Sequence, residues 1–395
     1  MAEHEPLPLL RDALDRCLDA LCATAVRSDD RAGWLSWDLD VDGGPRRMLG
    51  GRASLYDGDA GMAWALATLA NATEREDLAD LATGAARNVG DAGHAGLLAG
   101  QAGLLAGQAG IALAQYRAGQ PSQGLPVPTS FAGADLSNGL AGLLLAQVRM
   151  GRCGQATIDA VDLLQANAYK TPMGVCWPES EGPDGRPLCG LAHGNSGIAL
   201  ALAEAAAAYP PCAPQAVELA VEALRWESAW FDPLLGGWPD LRTEPPSYPA
   251  LWCHGAAGIA VVRLRLLGLP ASLGLPVNIL RAEAEAAVVA CGSDLTRVLG
   301  SGSIPPTGLT LCHGIGGALE ALTLAHDLWK VVPHLAAARE FAAAAVAGLD
   351  EDPLAWPGGV RAAGSTGLFV GVAGVALILA RLIDPGKISS PALLL

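Results

Sequence analysis

Residues 252–260 read WCHGAAGIA. The phrase inside this stretch is Gly-x-x-Gly followed by small and aliphatic residues. It begins at Gly58, Gly107, Gly139, Gly194, Gly255, Gly314 and Gly371. Seven copies, with helix-type composition between them, are the mark of a repeat architecture. Glycines at i and i+3 share one helix face. Without side chains they let neighbouring helices approach closely, and they open the helix start to tight turns. Ala, Leu and Gly dominate the 395-residue chain, which favours helices.

Two kinds of helix alternate between the copies. One kind has a single charged face, as in Pro214–Ser228, and is expected to face solvent on one side. The other begins at a Gly-x-x-Gly and is apolar all round, so it is expected to be buried on every side. Residues 6–25 read as a first amphipathic helix, with Leu7, Leu10, Leu14, Leu18 and Leu21 at helical spacing. Leu55-Tyr56-Asp57-Gly58 opens an apolar helix through Leu69, and capping of that helix is the reading for Tyr56 and Asp57. Trp177-Pro178, Trp238-Pro239 and Trp356-Pro357 punctuate three repeats, the proline stopping a helix and the tryptophan plugging a joint. The segment Gly96–Gly107 reads as a lengthening of the second inner helix. Residues 119–134 and 292–308 read as loops. The expected fold is all-α, an α/α toroid of seven helical-hairpin repeats, occupying residues 1–395 as one domain. The residues just before each first glycine then line one central depression.

Composition narrows the function. A formal net charge of −15, with no Lys/Arg cluster, argues against nucleic acid as a partner. Nine cysteines without regular short spacing do not form a disulfide framework. The N-terminus has no basic segment followed by an apolar run, and the apolar run from Gly367 to Ala380 is too short for a membrane span, which takes about 20 residues. A reduced, cytoplasmic protein is the expectation.

The chemistry sits at one repeat position. His193, His254 and His313 each immediately precede a first glycine, and Cys253 and Cys312 stand one place earlier. A lone cysteine in an Ala/Leu-rich helix is a small core residue, and Cys17, Cys22, Cys153, Cys176, Cys189, Cys212 and Cys291 take that reading. Shared register sets Cys253, Cys312 and His313 apart: two thiolates and one imidazole suit zinc, and three ligands leave a fourth position open. His254 in place of His313 is an alternative that register alone leaves open.

WCHGAAG, LCHGIGG and GLAHGNSG resemble the motifs of the LanC-type lanthipeptide cyclases, and the resemblance runs from LYDGDAG near residue 55 to GLFVGVAG near 367. It implies an α/α toroid and one zinc ion held by Cys253, Cys312 and His313. It also implies a catalytic His193 in the AHG motif and a catalytic Asp135 four residues before Gly139. The position after the first zinc cysteine, Tyr or His in such proteins, is His254 here, either a helper in proton transfer or a group beside the metal. Some members carry an arginine four residues before that cysteine; this chain has Pro249, so a role for such an arginine does not carry over. The implied activity adds peptide cysteine thiols to dehydroalanine or dehydrobutyrine. The implied partners are a dehydrated precursor peptide and a separate dehydratase or synthetase. Addition of glutathione to dehydrated peptides, and a peptide-binding scaffold that keeps its metal, are the competing functions.

Overall fold

A helix that is apolar on every side needs a neighbour on every side, and this requirement organises the chain. The computed structural model describes residues 6–37, 48–50, 52–91, 102–122, 124–179, 182–302, 304–359 and 365–395. The expected lengthening of the second inner helix over Gly96–Gly107 lies outside the described residues up to position 101. From there to Gly107 the chain is not helical. In chain order the helices are α1 (Pro6–Ala23), α2 (Asp59–Thr73), α3 (Glu76–Asp91), α4 (Gln108–Arg117), α5 (Leu140–Arg149), α6 (Gln155–Ala166) and α7 (Asn195–Ala208). They continue with α8 (Ala213–Ser228), α9 (Ala256–Leu267), α10 (Val277–Gly300), α11 (Gly316–Trp329), α12 (Val332–Val346) and α13 (Val372–Ile383). Strand content among the described residues is three antiparallel hairpins, β1–β2 (Val26–Ser28, Arg31–Gly33), β3–β4 (Ser36–Trp37, Met48–Leu49) and β5–β6 (Tyr169–Thr171, Gly174–Cys176).

The seven inner helices are α2, α4, α5, α7, α9, α11 and α13, and each starts within two residues of a first glycine. In α7 every residue from Asn195 to Ala206 is buried, and in α13 every residue from Val372 to Leu382. The outer helix α8 buries one face, built on Ala216, Leu219, Ala220, Ala223 and Leu224. Each fully buried Leu, Ile or Val contributes roughly 1.5–3 kcal/mol.

The chain divides into two compact units. The first comprises Met1–Gly96, Ala114–Gln123 and Gly292–Leu395. Within it α1 packs on α12 and α13, α13 on α2 and α11, and α2 on α3. The second comprises Leu97–Leu113 and Gly124–Cys291, with α7 at its centre against α5, α8 and α9.

The i and i+3 glycines do more than admit a neighbouring helix. A Cβ at Gly197 would lie 2.0 Å from the carbonyl oxygen of Leu191 in the same turn, and 3.2 Å from Leu136 Cβ in the preceding turn. At Gly258 the equivalents are Trp252 O at 2.0 Å and Leu191 Cβ at 3.0 Å. Gly61, Gly142 and Gly374 repeat the pattern. The second glycine is therefore the seat of its own turn's carbonyl and of a leucine from the preceding turn.

One loop expectation is corrected and one is borne out. The loop expected at 292–308 begins only after Gly300, because Leu295 and Cys291 are fully buried and carry α10 through Gly292. The loop expected at 119–134 is borne out: residues 118–122 and 124–139 contain no helix, and the third inner helix, α5, packs on α6. Pro121, Pro126 and Pro128 forbid a helix in that loop. The plugging role of the Trp-Pro tryptophans holds, since Trp177, Trp238 and Trp356 are all buried.

Buried ion pairs clasp the inner helices. In the second unit Glu204 of α7 accepts hydrogen bonds from Arg149 of α5 and Arg265 of α9 at 2.6–3.1 Å. Burial alone pushes the Glu204 carboxyl up, but these two guanidinium groups outweigh it and hold it down at about 2. A carboxyl depressed in the folded state gives stability that is present above its unfolded value of about 4.3 and is lost as pH falls toward 2. Urea unfolding is expected to show Glu204→Gln less stable by about 3 kcal/mol at neutral pH. Its stability should also fall less steeply than that of the wild type between about pH 5 and pH 2. Parallel slopes in that window would remove Glu204 from the acid response.

Candidate functional site

The turns before the inner helices carry every residue singled out by the sequence, and backbone hydrogen bonds align them. In the second unit Leu105 N–H donates to Ser137 O, Ser137 N–H to Ala192 O and Ala192 N–H to Cys253 O, at 3.0–3.1 Å. In the first unit Cys312 N–H donates to Phe369 O and Phe369 N–H to Tyr56 O, both at 2.9 Å. All seven residues stand two places before a first glycine.

The second unit holds an imidazole–carboxylate cluster. Asp135 accepts a hydrogen bond from Asn138 N–H at 3.0 Å, closing the turn before α5, and its other oxygen lies 2.6 Å from His193 Nδ1. Glu179 Oε1 lies 4.0 Å from the same nitrogen. Asp135 and Glu179 are buried, while His193 is half-buried with 17% of its side chain exposed. The His193 ring stacks on His254, with centroids 5.8 Å apart and planes inclined by 9°. His254 is buried, and its Nδ1 donates to Cys189 O at 3.3 Å. Its Nε2 has no hydrogen-bond partner among the described residues. Burial favours neutral His254, pulling its pKa below the usual histidine value against the smaller opposing effect of Cys253. Cys253 itself is buried on the turn before α9.

That turn is tight. Gly255 has φ +113°, and a Cβ there would lie 1.9 Å from Pro249 O. The Pro249 carbonyl also accepts Ala256 N–H at 3.0 Å. A backbone role thus occupies the position where some relatives carry arginine. The cation whose field reaches His254 is instead Arg242, paired with both oxygens of Asp240 at 2.8–3.0 Å.

In the first unit Cys312 is buried and His313 half-buried on the turn before α11. His313 Nδ1 lies 3.3 Å from the Tyr56 hydroxyl, and the Tyr56 ring stacks on Phe369 at 5.7 Å. The expected capping by Tyr56 and Asp57 is not what the structure holds. The N-cap of α2 is Gly58, without a side-chain cap bond. The Asp57 carboxylate is drawn instead to Arg52 and Ser54, because a guanidinium offers a charged partner that a helix amide does not.

Four groups escaped the sequence reading: Glu179, the Asp240–Arg242 pair, Glu227 and Arg263. Glu227 accepts the Gly190 and Ser196 amides at 2.8 and 3.2 Å, bracketing the His193 turn, and fully buried Arg263 holds Glu227 at 2.9 Å. A signal for the first two existed: an acidic residue follows Trp-Pro at Glu179 and at Asp240.

An all-α fold whose glycine-led turns present thiols, imidazoles and carboxylates defines a class. The sequence profile of the lanthionine synthetase C-like protein family matches residues 50–395, and the chain belongs to that family. Among solved structures it is similar to nisin cyclase, at 17% identity and a TM-score of 0.63 over 97% of this chain and 96% of that one. The fold is accordingly the expected α/α toroid. Among curated proteins it is similar to the lacticin 481/lactococcin biosynthesis protein LcnDR2 of Lactococcus lactis subsp. lactis, 28% identical over 137 residues. That match covers 34% of this chain and 14% of the relative's length.

The Gly255 turn makes a direct test. Gly255→Ala is expected to cost at least about 2 kcal/mol, from positive φ and the carbonyl clash together, and to lower the melting temperature by several degrees. Calorimetry giving an unchanged transition would mean that the turn relaxes freely.

Proposed function

We propose that this chain is a zinc-dependent cyclase that closes lanthionine and methyllanthionine thioethers in a ribosomally made peptide. It would do so by adding cysteine thiols to dehydroalanine and dehydrobutyrine. Family membership supports the activity class. The observation that carries the metal assignment is shared register: Cys253 and Cys312 each stand two places before a first glycine, and His313 stands one place before. Two sulfurs and an imidazole match the ion's preference, and the three leave one position for a substrate sulfur. Tyr56 at His313 Nδ1 favours Nε2 as the ligand atom and fixes the ring's tautomer. This arrangement favours His313 over His254 as the nitrogen ligand.

Zinc held by Cys253, Cys312 and His313 would supply the Lewis acidity that lowers the pKa of a peptide cysteine thiol. The chain's own residues then manage geometry and the proton. Asp135 accepts the Nδ1 proton of His193 and leaves Nε2 as the atom that exchanges protons. Joining sulfur to the β-carbon sends the double-bond electron pair to the α-carbon as an enolate. His193 Nε2–H supplies the proton at that carbon. The proton released by the thiol replaces it over the cycle, so S–H adds across C=C with nothing oxidised or reduced. His254, neutral and stacked on His193, holds the ring plane and is a catalytic helper in this reading.

The substrate must arrive dehydrated, so a dehydratase or synthetase activity comes before this one. Nine cysteines that form no disulfide suit a reducing, cytoplasmic setting. Among the described residues no helix is long and apolar enough to cross a membrane. Residues 1–395 act as one cyclase domain of seven repeats in this proposal.

The zinc-loaded chain, incubated with a dehydrated precursor and then a thiol-alkylating reagent, is expected to give masses with one fewer alkylation per ring. Cys312→Ala should lose both zinc and ring closure. His193→Asn should keep zinc while the rate falls at least about 100-fold. Zinc retained at full stoichiometry by Cys312→Ala would sink the metal assignment. Adducts formed only with added glutathione would replace the peptide thiol as sulfur donor.

A further inference from the structure

We propose that Glu179 is a positioning residue for His193: a second carboxylate that, with Asp135, cradles the Nδ1 edge of the imidazole and commits Nε2 to the substrate. This rests on the reading above, in which His193 moves the proton.

Three observations carry it. The first is distance. Asp135 Oδ2 is 2.6 Å and Glu179 Oε1 is 4.0 Å from His193 Nδ1, and the three groups lie within 4.8 Å of one another. Asp135 makes the hydrogen bond; at 4.0 Å Glu179 acts as a charge. The second is how Glu179 is held. Trp177 is buried, with its indole N–H on Leu164 O at 2.8 Å. Pro178 follows, and the Glu179 backbone is bonded on both sides, its N–H to Gly185 O and its carbonyl to Gly182 N–H. Burying a carboxylate is costly unless a cation or donor meets it, and an imidazole faces this one.

The third is recurrence. Glu179 precedes His193 by fourteen residues, and Asp240, also directly after a Trp-Pro pair, precedes His254 by fourteen. Asp240 and His254 act on each other electrostatically. In the repeat with Trp356-Pro357 the next residue is Gly358, and the residue before the first glycine is Val370. Acid and histidine are present together twice and absent together once. A carboxylate that served only the Trp-Pro turn would have no reason to vanish with the histidine.

The ionisable groups that face His193 include Asp135 from the turn before α5, Glu179 after β6 and His254 from the turn before α9. The Asp240–Arg242 pair stands beyond His254. Two carboxylates on one edge favour the protonated ring, the form that donates to the α-carbon.

The test is Glu179→Gln in the zinc-loaded protein, read in two ways. In the pH profile of cyclisation, the alkaline limb is expected to move down by about one pH unit, with kcat near neutrality lower by about tenfold. KM and zinc content should stay within twofold. NMR titration of the His193 ring in the resting protein should move by the same amount, and Glu179→Asp, which keeps the charge, should restore much of both. A slower variant with an unmoved limb and an unmoved titration would reduce Glu179 to a structural residue and overturn the proposal. An unaffected rate would do the same. If the wild type forms no rings, the cyclase reading fails by itself, and a His193 titration unchanged in Glu179→Gln would still refute the positioning role.

Discussion

The structure depends on a carbonyl oxygen lying where a Cβ would otherwise be. In turn after turn, the residue three before the first glycine lays its carbonyl on the second glycine, as Leu191 does on Gly197 and Trp252 on Gly258. That contact pulls the chain flat against the helix start. It exposes the next residue's backbone to the neighbouring turn, so residues two before the first glycine can bond to one another. Each such bond adds only about 1 kcal/mol net. Their larger effect is registration: a one-residue slip in any turn would break the bonds on both sides and misplace the side chains that follow.

Charge buried behind the turns reinforces the registration. Breaking a buried ion pair costs several kcal/mol, whereas an apolar replacement of the whole pair is often neutral. Such pairs are therefore better explained by what they position than by stability alone. Glu227 shows the point. Its Oε1 takes the Gly190 and Ser196 amides, and its Oε2 meets the Ser196 hydroxyl and Arg263. Arg263 continues to Glu283 at 2.7 Å. The His193 turn is tied at both ends to a carboxylate that cannot move without uncovering a buried guanidinium. Glu204 with its two arginines does the same for the far ends of α5, α7 and α9.

Much of this was legible in the sequence, because glycine spacing and all-round apolarity are local signals. The inner helices begin where the glycines say, and the amphipathic α1 and α8 fall where their leucines and alanines place them. The histidine and cysteine register was visible for the same reason. Asp57 was misread because a helix-start aspartate has a standard local partner, and the sequence does not show that Arg52 competes for it. The end of α10 was misread because Gly292 and Ser293 look like a loop, whereas burial of Cys291 and Leu295 decides the matter. Glu179 was missed because its partner is fourteen residues away, beyond the turn at 183–185. The spacing becomes a signal only when the Asp240 and His254 pair is laid beside it.

The two positions ahead of each first glycine differ in freedom, and the chemistry is divided accordingly. Residues two before the glycine sit in the line of backbone bonds, and all but Tyr56 are buried. Residues one before it are half-buried in five of seven repeats, His193 and His313 among them. A metal ligand benefits from a fixed backbone, since small displacements spoil coordination. A group that hands a proton to a changing substrate must reach solvent or substrate and keep some play in its ring. In the proposed reading Cys253 and Cys312 at the rigid position and His193 at the looser one follow that difference, while His313, also at the looser position, has Tyr56 at its Nδ1. His254, the buried exception among the three histidines, is the one whose ring has lost its freedom, and it is the one stacked against the imidazole that has kept it.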